Sequence, residues 1–159
     1  TDWRLVYCCG FSLRELCEQI GTDPERQPCV FSHSVWQLKG ESEWAVLKPD
    51  PGFYLMDFNS RWGGASWNKQ EEGIAELGRK FFRPSEAIVA EAITTIFQVT
   101  GERLMESWHH WGPSLTSDGG RVYVGKFQPE GWRAFSANAP NCPSGYDLGV
   151  CLGRLPDVV

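Results

Sequence analysis

FYLMDFNSRWGGASWNKQ, residues 53–70, decides how the chain is read, because an apolar run passes there into polar groups and then into two glycines. As a strand, the run places Phe53, Leu55 and Asp57 on one face and Tyr54, Met56 and Phe58 on the other. Both faces are largely apolar, which predicts a central strand. Asp57, Asn59 and Arg61 then emerge together at its C-terminal end. Gly63 and Gly64 follow and allow the backbone to approach a ligand closely. A helix starting near Ser66 would turn its free amide groups toward an anion.

On the upstream side, TDWRLVYCC reads as an opening strand, and Ser12 and Glu15 have the spacing of a capping box at the start of a helix that Gly21 ends. CVFSHSVWQLKG and ESEWAVLKPDPGFYLMDF are rich in β-branched and aromatic residues and predict three strands, with Pro49 and Pro51 marking a turn. Downstream, Ile74, Leu77 and Phe81 recur at helical spacing, in a helix expected to be interrupted. Val89, Ile93, Ile96, Phe97, Thr100 and Leu104 line one face of a long helix from near Pro84. Gly101 is expected to kink or split it, with a terminal helical segment running to about Trp111. RVYVGKF, WRAF and YDLGVCL read as three further strands. Strands, then helices, then strands predict one α+β domain over residues 1–159, its largely antiparallel sheet covered on one face by helices.

A chain of 159 residues with 42% hydrophobic and 22% charged residues is long and apolar enough to fold alone. Its net charge of −5 includes no run of Lys and Arg to neutralise phosphates, so nucleic acid is not an expected partner. No apolar stretch is long enough to span a bilayer, and TDWRLVYCCG has no basic leader region, so a soluble cytoplasmic protein without a membrane partner is expected. The first residue is Thr1 instead of Met, as expected if an initiator, a leader or part of a longer chain has been removed.

Six cysteines, Cys8, Cys9, Cys17, Cys29, Cys142 and Cys151, are compatible with three bridges, but a domain this size does not need them, and buried free thiols are the expectation. No C-x-x-C or H-x-x-x-H pair has structural-zinc spacing, so no metal site is expected. No G-x-G-x-x-G or G-x-x-x-x-G-K-[ST] phosphate loop occurs.

The octet DFNSRWGG resembles the acid-x-Asn-x-Arg-x-Gly-Gly strand end of ATP-grasp ligases. That resemblance implies magnesium held by Asp57 and Asn59, with Arg61 facing nucleotide phosphates. It covers eight residues, has Asp where Glu is usual, and lacks the upstream phosphate loop and lysine strand. The simpler reading of the same residues is that Asp57 pairs with Arg61 or caps a turn while the glycines reverse the chain.

A second concentration, ESWHHWGPS, sets His109 and His110 between Trp108 and Trp111. On a helix the two imidazoles would diverge by about 100 degrees and could not easily serve one metal or one reacting atom. Of eight tryptophans, Trp3, Trp36 and Trp44 are expected inside, whereas Trp62, Trp67, Trp111 and Trp132 flank glycines or turns and suit a pocket rim. The expected role is a non-catalytic module that binds a small polar ligand or a protein partner through Asp57, Asn59, Arg61, Trp62, Trp67, Trp108, His109, His110 and Trp111. The alternative is a hydrolase or metal-assisted transferase using Asp57, Asn59 and Arg61. The sequence itself assigns neither catalytic residues nor a cofactor.

Overall fold

The apolar run ending at Arg61 is a strand in the computed structural model, which describes residues 3–40, 42–137 and 147–155. The elements are β1 (Trp3–Cys8), α1 (Leu13–Ile20), α2 (Val35–Lys39), β2 (Gly52–Arg61), α3 (Trp67–Leu77), β3 (Phe81–Phe82), α4 (Glu86–Thr100), β4 (His109–Leu115), β5 (Arg121–Gln128), β6 (Gly131–Ala137) and β7 (Leu148–Arg154). Strand order is β1-β2-β7-β4-β5-β6, with β3 against β7, and the sheet curls into a half-barrel. β2 is therefore internal, as its two apolar faces require.

The α+β class holds, but the sheet is mixed and not largely antiparallel. β7 runs antiparallel to β2 and parallel to β4, with His109 opposite Leu148 and His110 opposite Gly149. Insertion of the last strand between two earlier ones is a long-range pairing that no local pattern encodes. The expected covering by helices on one face also fails at β7. Cys151 packs into the main core with α4, whereas Val150 and Leu152 pack with Ile74 of α3. Alternate residues of a strand face opposite ways, so these contacts lie on opposite faces.

The capping box at Ser12 and Glu15 forms in full, and Gly21 ends α1 at φ 70°. α4 is apolar almost all round and is buried accordingly. It carries two buried acids. Glu91 accepts the backbone amides of Cys9, Gly10 and Phe11, holding the β1–α1 turn, and Glu86 accepts the amide and hydroxyl of Ser114 at 2.8 and 2.9 Å.

Four local sequence expectations are corrected. Residues 29–40 are not a strand: Val30 bridges Trp132, a 3-10 turn spans Ser32–Ser34, and α2 follows. Arg14 decides this, because its guanidinium takes the last carbonyls of α2, those of Leu38 and Gly40. Glu43–Val46 is likewise a 3-10 turn and not part of a strand. The helical segment expected up to Trp111 is instead irregular chain and a turn over residues 101–108 followed by β4 from His109, since Gly101 turns left-handed (φ 75°) and closes α4. α3 runs without the interruption expected, and the following phenylalanines form β3.

Cys8, Cys9, Cys17, Cys29 and Cys151 are free thiols, and Cys142 lies outside the described residues. Burial raises the Cys8 thiol to about 12, as befits a small core hydrophobe. Among the described residues no helix is long and apolar enough to cross a membrane.

Candidate functional site

Asp57, Asn59 and Arg61 do come together, but on one another. Asp57 is fully buried. One carboxylate oxygen accepts the Asn59 amide at 3.0 Å and its side-chain Nδ2 at 2.6 Å. The other accepts Arg61 Nε and Nη2 at 3.0 and 2.7 Å. The chain needs this knot because β2 bulges there: Asp57 faces Leu152 and Arg61 faces Val150, so four positions on β2 advance against two on β7. Burial pushes the Asp57 carboxyl up, but the hydrogen bonds from Arg61 and Asn59 outweigh it and hold the group below its ordinary range. Asn59 also lines a recess of about 70 Å³ with Arg4, Phe58 and Leu104.

The turn after the knot is filled from below. Trp62, at φ 48°, lays its indole on Gly73 of α3. Gln70 is buried and donates toward the carbonyls of Trp62, Ala65 and Leu148 at 3.2–3.4 Å. Trp67 meets Trp111 edge-on at 5.6 Å, and Arg83 and Arg121 stack on it with guanidinium carbons 3.8 and 3.5 Å from the ring centroid. Arg83 is also bound to Glu71 at 2.7 Å, to Gln70 at 3.1 Å and to the Trp111 carbonyl.

His109 and His110 sit on successive positions of β4 and so face opposite ways, a larger divergence than on the helix expected for them. His110 is fully buried; its Nε2 donates to the Pro84 carbonyl at 2.9 Å and its Nδ1 accepts the Cys151 amide at 3.1 Å. Both bonds are those of neutral imidazole, and burial, helped by the Arg83 charge, lowers its pKa to about 3. His109 stands edge-on to Tyr123 at 5.0 Å and is lowered to about 4 by burial and by the Lys126 and Arg133 charges. Trp108 and Trp111 are core residues. Asp57 is thus spent on Asn59 and Arg61, which themselves reach the surface, and His110 is buried with both ring nitrogens bonded, whereas the buried Nε2 of His109 has no hydrogen-bond partner among the described residues.

The open surface lies elsewhere. A cleft of about 650 Å³ is lined by Trp36, Gln37, Gly40, Ser42, Glu43, Trp44, Leu115, Thr116, Ser117, Asp118 and Ser136. Trp36, expected inside, is 70% exposed, whereas Trp111 and Trp132, expected on a rim, are buried. The reason is the edge of β6. Ser34 Oγ and Gln37 Oε1 accept the Ala134 and Ser136 amides at 3.1 and 3.2 Å, which turns α2 side-on to the strand and leaves Trp36 facing out. The opposite wall is the β4–β5 hairpin, whose turn is closed by Gly119 N to Thr116 O at 2.9 Å and by Asp118 accepting the Thr116 hydroxyl. These residues escaped sequence reading because a five-residue helix shows no clear period; the Asp118-Gly119 turn was the one legible signal.

At the other end of the sheet, β1 pairs only with β2 among the described residues. Leu5, Tyr7, Phe53 and Val99 are exposed around that edge. Among the described residues no group of His, Cys, Asp and Glu is placed to hold a metal ion. Comparison of the chain with protein-family models, with curated proteins and with solved structures gives no match, so the chemistry of the cleft stands on its own residues.

Proposed function

We propose that the chain is a non-catalytic binding module for a small polar ligand, taken up in the cleft between α2 and the β4–β5 hairpin. The observation that carries this reading is the lining: an exposed indole beside hydroxyl, amide and carboxylate groups, in a volume typical of small-molecule sites. No Lys or Arg is among the described lining residues, which disfavours phosphate and carboxylate ligands and favours neutral or cationic ones. The Asp57 carboxylate already accepts four hydrogen bonds, which weighs against hydrolase or transferase chemistry on that strand end. A thermal-shift panel of neutral, cationic and anionic compounds on wild type and Trp36→Ala tests the reading. Stabilisation by a neutral or cationic compound that the substitution abolishes supports it; stabilisation confined to anions, or indifferent to Trp36, refutes it.

A protein partner is the second reading, and a different observation favours it, the open edge of β1 flanked by Leu5, Tyr7, Phe53 and Val99. Sedimentation equilibrium tests it for a second copy of this chain. Self-association abolished by Leu5→Lys supports it, and a monomer at all concentrations contradicts it.

A further inference from the structure

We infer that the ligand of the Trp36 cleft is a short neutral oligosaccharide; this rests on the reading of the cleft as a polar-ligand site and narrows it to one class. Three features of the lining converge on that class.

The first is the number of aromatic walls. A methylated ammonium is held by several ring faces around the cation. Here Trp36 is 70% exposed while Trp44 is only 6% exposed, so the cleft offers one indole face and not a cage. A single flat apolar platform suits the C–H face of a pyranose, whose hydroxyls project around its rim.

The second is the hydrogen-bonding inventory around that platform. Glu43 supplies carboxylate oxygens, which are acceptors only and suit the donor hydroxyls of a sugar, while Asp118, which accepts the Thr116 hydroxyl and the Gly120 amide, shapes the hairpin wall. Gln37 already uses its Oε1 on the Ser136 amide, which fixes the orientation of the side chain and leaves the Nε2 hydrogens to donate to a ring or hydroxyl oxygen. Ser42, Ser117 and Ser136 add hydroxyls able to donate or accept. Hydroxyl groups, each both donor and acceptor, match a lining of both kinds.

The third is charge and size. The Glu43 carboxylate, with no cation among the described lining residues, repels uronic acids, sialic acids and sugar phosphates. A volume of about 650 Å³ lies in the range that holds a drug-sized molecule, larger than a lone ring requires.

The test is calorimetric titration with neutral gluco-, manno-, xylo- and galacto-oligosaccharides, with an oligogalacturonate as the anionic control and choline as the cationic one. The proteins are wild type, Trp36→Ala, Trp36→Tyr and Glu43→Gln, each checked for unchanged circular dichroism. Binding of a neutral oligosaccharide, weakened tenfold or more by Trp36→Ala, largely retained by Trp36→Tyr and weakened severalfold by Glu43→Gln, is the expected result. Choline binding that depends on Trp36, with every oligosaccharide inert, overturns the saccharide assignment and leaves the polar-ligand reading standing. Oligogalacturonate binding stronger than that of the neutral sugars overturns the charge argument and with it the assignment. No binding by any of the three classes overturns both readings.

Discussion

Replacing Asp57 by Asn separates a structural knot from a ligand site. The side chain is fully buried, so an amide placed there keeps the shape, loses the charge and sets an N–H group against a donor, either the Arg61 guanidinium or the two Asn59 amide groups. Arg61 is 37% exposed, so its ion pair is counted near the surface value, about 0–1 kcal/mol. Most of the loss comes from the two Asn59 bonds to a charged acceptor and from the mismatched donor, and the total is about 2–4 kcal/mol. Urea unfolding at neutral pH measures it. The pH dependence identifies the cause. The folded pKa of Asp57 lies below its ordinary value of 3.8, so the carboxylate's contribution is complete above that value and is lost as pH falls through the folded pKa. The gap between wild type and Asp57→Asn should therefore narrow below pH 3.8, down to the lowest pH at which both remain folded. Equal stability at neutral pH, or a gap that ignores acid, refutes this role for the knot.

Gly73→Ala should destabilise despite the better helix propensity of alanine, because a Cβ there would lie 2.4 Å from the Trp62 ring; a loss of about 1–3 kcal/mol in urea unfolding is expected, and a gain would contradict the packing. Arg83→Lys should cost about 2 kcal/mol or more in the same assay, since an ammonium cannot stack on Trp67 and reach Glu71, Gln70 and the Trp111 carbonyl together; rescue by Lys would show that charge alone matters. His109 and His110 are held neutral with folded pKa values near 4 and 3, below the ordinary 6.5, so stability should fall as pH drops below 6.5, by up to about 1.4 kcal/mol per pH unit for each histidine. His109→Gln should reduce that slope by about one proton between pH 6.5 and 4, and an unchanged slope would show that His109 is not the group responsible.

Local chemistry was legible where it closes on itself. Ser12 and Glu15 announced a helix start that forms as a full capping box, and the double-faced run from Phe53 to Phe58 announced an internal strand. The pairing of Asp57 with Arg61 was likewise within reach, since both partners lie four residues apart. Tertiary partners decided the rest. α2 exists because Arg14, more than twenty residues away, takes its last carbonyls, and Trp36 is exposed because Gln37 reaches across to β6. His109 and His110 lie on a strand because β5 and β7 both pair with it, although the preceding residues continue a helical pattern. The candidate site was missed for the same reason. Its walls come from segments more than seventy residues apart, and its principal aromatic lies in a stretch whose β-branched and aromatic composition read as strand.

With all eight tryptophans labelled as 5-fluorotryptophan, a fluorine NMR titration with the neutral oligosaccharides assigns binding to one indole among eight. A shift of the Trp36 resonance, with a smaller one at Trp44 and none at Trp62, Trp67 or Trp111, is the expected result. Shifts centred on Trp62 or Trp67 would return the site to the strand end at Asp57, and a spectrum that does not move would contradict the cleft as the binding surface.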